Sequence, residues 1–97
     1  MKHLNYFSDP GHSWLAVKLD MLHILGIVDK ISAFSYVKGR TAYLEEDVDA
    51  PVFIKAYEKR FGKIMFNEKY SDKSPIRSYR SYSVDGVTDI LKRNGVL

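Results

Sequence analysis

Between Phe34 and Asp49 the chain reads FSYVKGRTAYLEEDVD, and this stretch limits the fold more than any other. Phe34, Tyr36, Tyr43 and Leu44 are β-favouring or apolar residues on either side of Lys38-Gly39-Arg40. Glycine takes the positive φ of a tight reversal without steric cost, so a β-hairpin is expected. Two loops are compatible with it: Lys38-Gly39 as a two-residue loop, or Val37-Lys38-Gly39 as a type I turn closed by a glycine bulge. The second suits lysine better. The choice has consequences, because a one-residue slip exchanges the two faces of a strand.

Behind the hairpin the chain turns acidic, with Glu45, Glu46, Asp47 and Asp49 ahead of Ala50-Pro51. Proline is tolerated in the first turn of a helix, where its missing N–H is not needed. Asp49 is therefore expected as the N-cap, with the neighbouring carboxylates favoured by the positive end of the helix dipole. Such a run also suits a hard cation. The glycine and regular spacing of a calcium loop are missing, however, and cap, dipole and solvated surface account for the run.

Ninety-seven residues make one domain, 1–97, large enough for a core of its own. The apolar share of 45% and charged share of 28% are those of a globular chain. Without cysteine there are no disulfides, thiolate metal sites or cysteine nucleophiles, which fits a reducing cytoplasm. No apolar run approaches the roughly 20 residues of a membrane span, and MKHLNYFSDPGH lacks the apolar centre of a signal peptide. The net charge of +3 is unevenly spread: residues 1–49 carry a balance of −2 and residues 50–97 a balance of +5. An acidic face and a basic face are expected.

In chain order, Leu4-Asn5-Tyr6-Phe7 reads as a short strand stopped by Ser8-Asp9-Pro10-Gly11. His12 to Val17 reads as a second strand or extended segment, with Trp14 as a core anchor. Lys18 to Leu25 is expected to form a short helix, with Gly26 in the left-handed terminal position and Ile27 folding back onto the last turn. The region Ala50 to Phe61 is the main helix, with Phe53, Ile54, Tyr57 and Phe61 on one broad face and Gly62 as its stop. Lys63 to Tyr70 reads as a strand, and Ile76 to Tyr82 as an edge strand or extended segment. A last helix, near 85–94, is capped by Ser83 or Asp85, with Val87, Ile90 and Leu91 as its apolar stripe. The fold class is α+β: a mostly antiparallel sheet of about four or five strands, with the 50–61 helix packed on it and short helices near 19–25 and 85–94.

Two groups are candidate binding residues. Arg77, Tyr79, Arg80 and Tyr82 have the composition of a single-strand nucleic-acid surface, cations for phosphate and rings for bases, which Lys69, Tyr70 and Lys73 extend. Arginine and tyrosine are equally the anchors of protein interfaces. The acidic Glu45, Glu46 and Asp47 make the second group. Asp9, His12 and Ser13 hold the parts of an acyl-transfer site, but nothing marks a nucleophile elbow. His3, His12 and His23 with the acidic cluster hold the donors of a metal site, but their separations match no metal-ligand pattern. No phosphate loop or dinucleotide motif occurs. No cofactor is expected.

The segments Asp9-Pro10-Gly11-His12-Ser13-Trp14-Leu15, Ile31-Ser32-Ala33-Phe34-Ser35-Tyr36 and Tyr43-Leu44-Glu45-Glu46-Asp47 with Asp49-Ala50 resemble a group of small uncharacterised bacteriophage-encoded proteins. The likeness covers about residues 6–62, with a weaker echo from Ser74 to Tyr79. In that group glycine often stands at the place of Ser13, serine at Ala33 and cysteine at Val48. The resemblance implies a phage product acting in a bacterial host cytoplasm, and it supplies no activity or catalytic residues. The functional expectation is a small non-enzymatic accessory protein that binds a host or phage macromolecule, as an inhibitor or adaptor. The alternatives are a nucleic-acid-binding module using residues 69–82 and, behind it, a small hydrolase near His12.

Overall fold

A computed structural model describes residues 2–97. Its strands are β1 (Lys2–Ser8), β2 (Ser13–Lys18), β3 (Tyr36–Lys38), β4 (Thr41–Glu45), β5 (Ile64–Tyr70) and β6 (Arg80–Ser81). Its helices are α1 (Leu19–Ile24), α2 (Ala50–Phe61) and α3 (Val84–Arg93), with single 3-10 turns at Val28–Lys30 and Pro75–Ser78. The strands form one sheet in the order β5-β1-β2-β4-β3-β6. The α+β class therefore holds, with six strands in place of four or five. Most pairings are antiparallel, but β1 and β5 run parallel over seven residue pairs, from Lys2↔Ile64 to Ser8↔Tyr70.

Alternation along the strands sorts side chains onto two faces. Leu15 and Val17 of β2, Ala42 and Leu44 of β4 and Val37 of β3 join Leu22 of α1, Phe53 and Tyr57 of α2 and Val87 and Leu91 of α3 in one buried cluster. This is the helix-covered face. Tyr6 and Leu4 pack at its margin. α1 ends as its sequence suggests: Gly26 takes φ 70°, and the amide of Ile27 donates to the Leu22 carbonyl at 3.0 Å, which tucks Ile27 into the core.

Trp14 is buried, as expected of an anchor, yet it lies on the other face of β2 and outside the helix-side cluster. Its cover comes from the β5–β6 connection. β5 and β6 are the two edges of the sheet, so residues 71–79 must cross a face to join them. They cross opposite the helices. The Ser71 amide donates to the Ser8 carbonyl at 2.9 Å, Ile76 is buried, Arg77 lies over the Trp14 ring at 5.5 Å, and the rings of Tyr79 and Tyr43 are 5.2 Å apart. The strap builds a second, smaller apolar layer.

Several local expectations are corrected. Lys38 pairs with Thr41, so the hairpin loop is Gly39-Arg40, and neither loop read from the sequence forms. Gly39 has φ 60° while Arg40 stays at negative φ, the turn with glycine at its first central position. That register still puts Tyr36 opposite Tyr43, on the Trp14 side. Asp49 stands at the N-cap position of α2, but its carboxylate makes no cap hydrogen bond and turns to another loop. The Ile76–Tyr82 stretch is mostly not a strand: its start is the 3-10 turn and only Arg80–Ser81 pair, with β3. Ser83 caps α3 by accepting from the Gly86 amide at 3.1 Å.

Candidate partner-binding surface

The basic-aromatic residues do not form one surface. Arg77 donates from Nε to Asp9 Oδ2 at 2.7 Å and from Nη2 to Oδ1 at 3.0 Å, a bidentate clamp that pins the strap to the β1–β2 turn. The Asp9 side chain is only 4% exposed. Its Oδ1 also accepts the amides of Gly11 and His12. Hydrogen bonding from Arg77, aided by those two amides, holds the Asp9 carboxyl well below the usual carboxylate range, and Asp9 in turn raises Arg77. Tyr79 is half-buried against Tyr43 with the Lys38 ammonium 4.7 Å from its ring centre. Tyr82 is 2% exposed and donates its hydroxyl to the Val28 carbonyl at 2.6 Å, so it belongs to the core and not to any binding face. Burial, with the charges of Asp49 and Asp29, drives its phenol far above the ordinary range. Of the four residues, Arg80 alone presents an exposed and unpaired head group among the described residues.

Arg80 has other neighbours. Together with Arg40 and Arg93 it rings an open depression at the β6 edge, floored by Val37 and Ile90. Arg40 is paired with Asp20 at 2.7 Å and Arg93 with Asp89 at 3.4 Å, both at the surface. Sequence spacing could not show this trio, since hairpin tip, edge strand and helix end each contribute one member.

The acidic residues part company as well. Glu45 Oε2 accepts the amides of Asp47 and Val48, at 3.0 and 2.9 Å, and closes the turn before α2. The β2–β4 ladder sets Glu45 opposite Trp14, and the Glu46 amide donates to the Ser13 carbonyl. His12, whose ring lies 6.0 Å from that of Trp14, is thereby gathered with Glu45 and Glu46, their ligand atoms all within 4.8 Å of one another. One imidazole and two carboxylates could hold a divalent cation; of the histidines and acids weighed together in the sequence, these three are the ones that meet. Asp47 is exposed. The parts of the acyl-transfer reading do not converge: Ser13 Oγ lies 2.7 Å from Ser8 Oγ, and both Asp9 oxygens are taken by Arg77.

Apart from Lys69 and Tyr70, the residues of β5 were given no functional role by the sequence. After Ile64 every β5 residue is exposed, on both faces. Met65, Phe66 and Tyr70 are 41%, 39% and 67% exposed. The outer edge of β5 has no neighbouring strand among the described residues, so its outward N–H and C=O groups lack strand partners; at its start the Ile64 amide donates to Glu58 Oε2 at 3.1 Å. Lys63, Lys69 and Lys73 flank it, while Asp72 is engaged by the Tyr70 hydroxyl at 3.1 Å and Glu68 is the one acid within the strand. The apolar share of IMFNEKY is a local signal that could have marked it. Its place at an edge is not local, and nothing in the sequence announces it.

Compared with protein-family models, curated proteins and solved structures, the chain matches none of them.

Proposed function

We propose that the chain is a small non-enzymatic accessory protein of a phage type, acting in a bacterial cytoplasm by binding a host or phage protein and so inhibiting or adapting it. The partner adds an extended, acidic segment to the outer edge of β5. The observation that supports this reading is a seven-residue edge strand, apolar in part and, after Ile64, exposed on both faces. Main-chain hydrogen bonds along such an edge give affinity, and alternate side chains give selectivity. The lysines around β5 favour carboxylates on the incoming strand.

Affinity capture from bacterial lysate, with and without nuclease, tests the reading when the wild type is run beside a Met65→Glu/Lys69→Glu variant. A protein band that survives nuclease and disappears with the variant supports it. A band kept equally by the variant sinks it. With the captured partner in hand, amide hydrogen exchange is expected to slow across residues 64–70.

A second reading has one observation in its favour, the Arg40–Arg80–Arg93 depression, which suits a polyanion such as nucleic acid. It predicts DNA or RNA binding that falls steeply with salt and is lost in Arg80→Glu/Arg93→Glu.

A further inference from the structure

β1 and β2 do not stay paired. Their ladder runs Ser8↔Ser13, Phe7↔Trp14, Tyr6↔Leu15, and stops there. Continued in the same register it would match Asn5 with Ala16, Leu4 with Val17 and His3 with Lys18. Instead the first half of β1 stays with β5 down to Lys2↔Ile64, and the second half of β2 stays with β4 out to Lys18↔Thr41. The sheet is split from one end, and a wedge opens between two strands that are consecutive in the chain.

A cavity of about 360 Å³ fills the wedge, with residues 2–5 on one wall and residues 16–18 on the other. That volume falls within the roughly 300–1,000 Å³ of small-molecule sites. Val17, Met21, Phe53 and Tyr57 give it an apolar floor toward the helix-side core, while Phe7 and Tyr43 border it from the opposite face. Lys2, His3 and Lys18 also line it, and no carboxylate does. Neither lysine has an ion-pair partner among the described residues, and Asp20, two positions beyond Lys18, is held by Arg40. The peptide groups that a continued ladder would have used face the wedge without strand partners, and such groups require hydrogen-bonding company.

We infer that this split is a binding site for a small anion with a flat apolar body, an aromatic carboxylate in chemical class. The ring lies on the floor between Phe53 and Val17. The carboxylate meets the Lys2 and Lys18 ammonium groups and the unpartnered peptide N–H groups of the walls. Charge complementarity selects this occupant: three basic side chains and no acid surround an apolar slot. The site lies on the opposite side of β1 from the outer edge of β5, so it stands or falls separately from the partner reading.

Titration with 1-naphthoate, followed by amide NMR shifts, tests it against the uncharged isostere 1-naphthamide. Saturable shifts concentrated in residues 2–5 and 16–18 are expected, with the amide binding about tenfold more weakly or worse, the worth of one charge-assisted hydrogen bond. A Lys2→Glu/Lys18→Glu variant should lose a similar factor while keeping its melting temperature, and Lys18→Gln serves where the double variant fails to fold. Equal binding of acid and amide, shifts scattered away from the two walls, or no saturation there would each overturn the inference.

Discussion

The two edges of the sheet are built differently. β6 has two residues, its neighbour β3 has three, and Lys38, Arg40 and Arg80 surround them, with Ile90 and Arg93 of α3 alongside. β5 has seven residues, exposes Met65, Phe66 and Tyr70, and nothing covers it among the described residues. Shortness, charge and cover are the devices by which sheets keep an edge from pairing with other chains. β6 has shortness and charge, and β5 has only its scattered lysines. On the proposed reading the β6 side is organised for stability and the β5 side for contact, and substitutions should separate the two.

The largest effect is expected beneath the β6 side. Asp49 is buried and accepts from the Ser32 amide at 2.9 Å, the Ser32 hydroxyl at 2.7 Å and the Ser35 hydroxyl at 2.5 Å. Ser35 passes this order on: its hydroxyl accepts the Glu45 amide, and its carbonyl accepts the Tyr82 amide beside β6. Asp49→Ala leaves several buried donors without an acceptor and should cost about 3 kcal/mol in urea unfolding. An unchanged midpoint would remove the structural weight assigned to this side.

Tyr82→Phe comes next, at about 1 kcal/mol, for the lost bond to the Val28 carbonyl. It also carries a pH signature. Burial raises the phenol in the folded state, so the folded chain binds its proton more tightly than the unfolded chain does. The associated stability is complete below the unfolded value, about 10, and drains away as pH rises above it. Tyr82→Phe should flatten that alkaline loss in stability measured against pH.

How far the sequence foretold this contrast can be followed residue by residue. α2 was legible because proline, a 3.6-residue apolar stripe and a stop glycine agree over Ala50–Phe61, and the hairpin because Gly39 stands between two β-rich runs. Ile76–Tyr82 misled, since Arg/Tyr/Ser alternation mimics an edge strand. What decides there is Pro75 opening a 3-10 turn and Ile76 turning under the strap. Arg77 and Tyr82 looked like free binding groups, but their partners Asp9 and Val28 lie 68 and 54 residues away. The parallel β1–β5 pairing is likewise non-local, and with it the edge that carries the proposed contact. Local chemistry names elements, whereas edges and ion pairs are settled by which elements become neighbours.

The strap joins the two edges, and Arg77→Met tests how firmly it does so. The depressed Asp9 carboxyl contributes stability that is complete above the ordinary carboxylate value, about 4, and is lost as pH falls toward the folded value. The variant should therefore respond less to acid: its stability should decline less steeply below about pH 4, from a lower plateau at neutral pH. An acid limb identical to that of the wild type would show that the clamp does not bear on folding.

The smallest stability effect is expected where the largest binding effect lies. Met65 is exposed on the uncovered edge, opposite His3 in the β1–β5 ladder, and belongs to neither apolar layer. Met65→Glu should shift the unfolding free energy by less than about 0.5 kcal/mol, as surface substitutions do. The same change places a carboxylate on the edge, where it repels the acidic incoming segment, and should abolish strand addition to β5. Paired measurements of urea unfolding and partner capture on this variant bring the two edges into direct opposition. Lost capture with intact stability gives β5 the role of a contact edge; lost stability with intact capture would make it merely a strand of the fold and return the search for a partner surface to the arginines of β6.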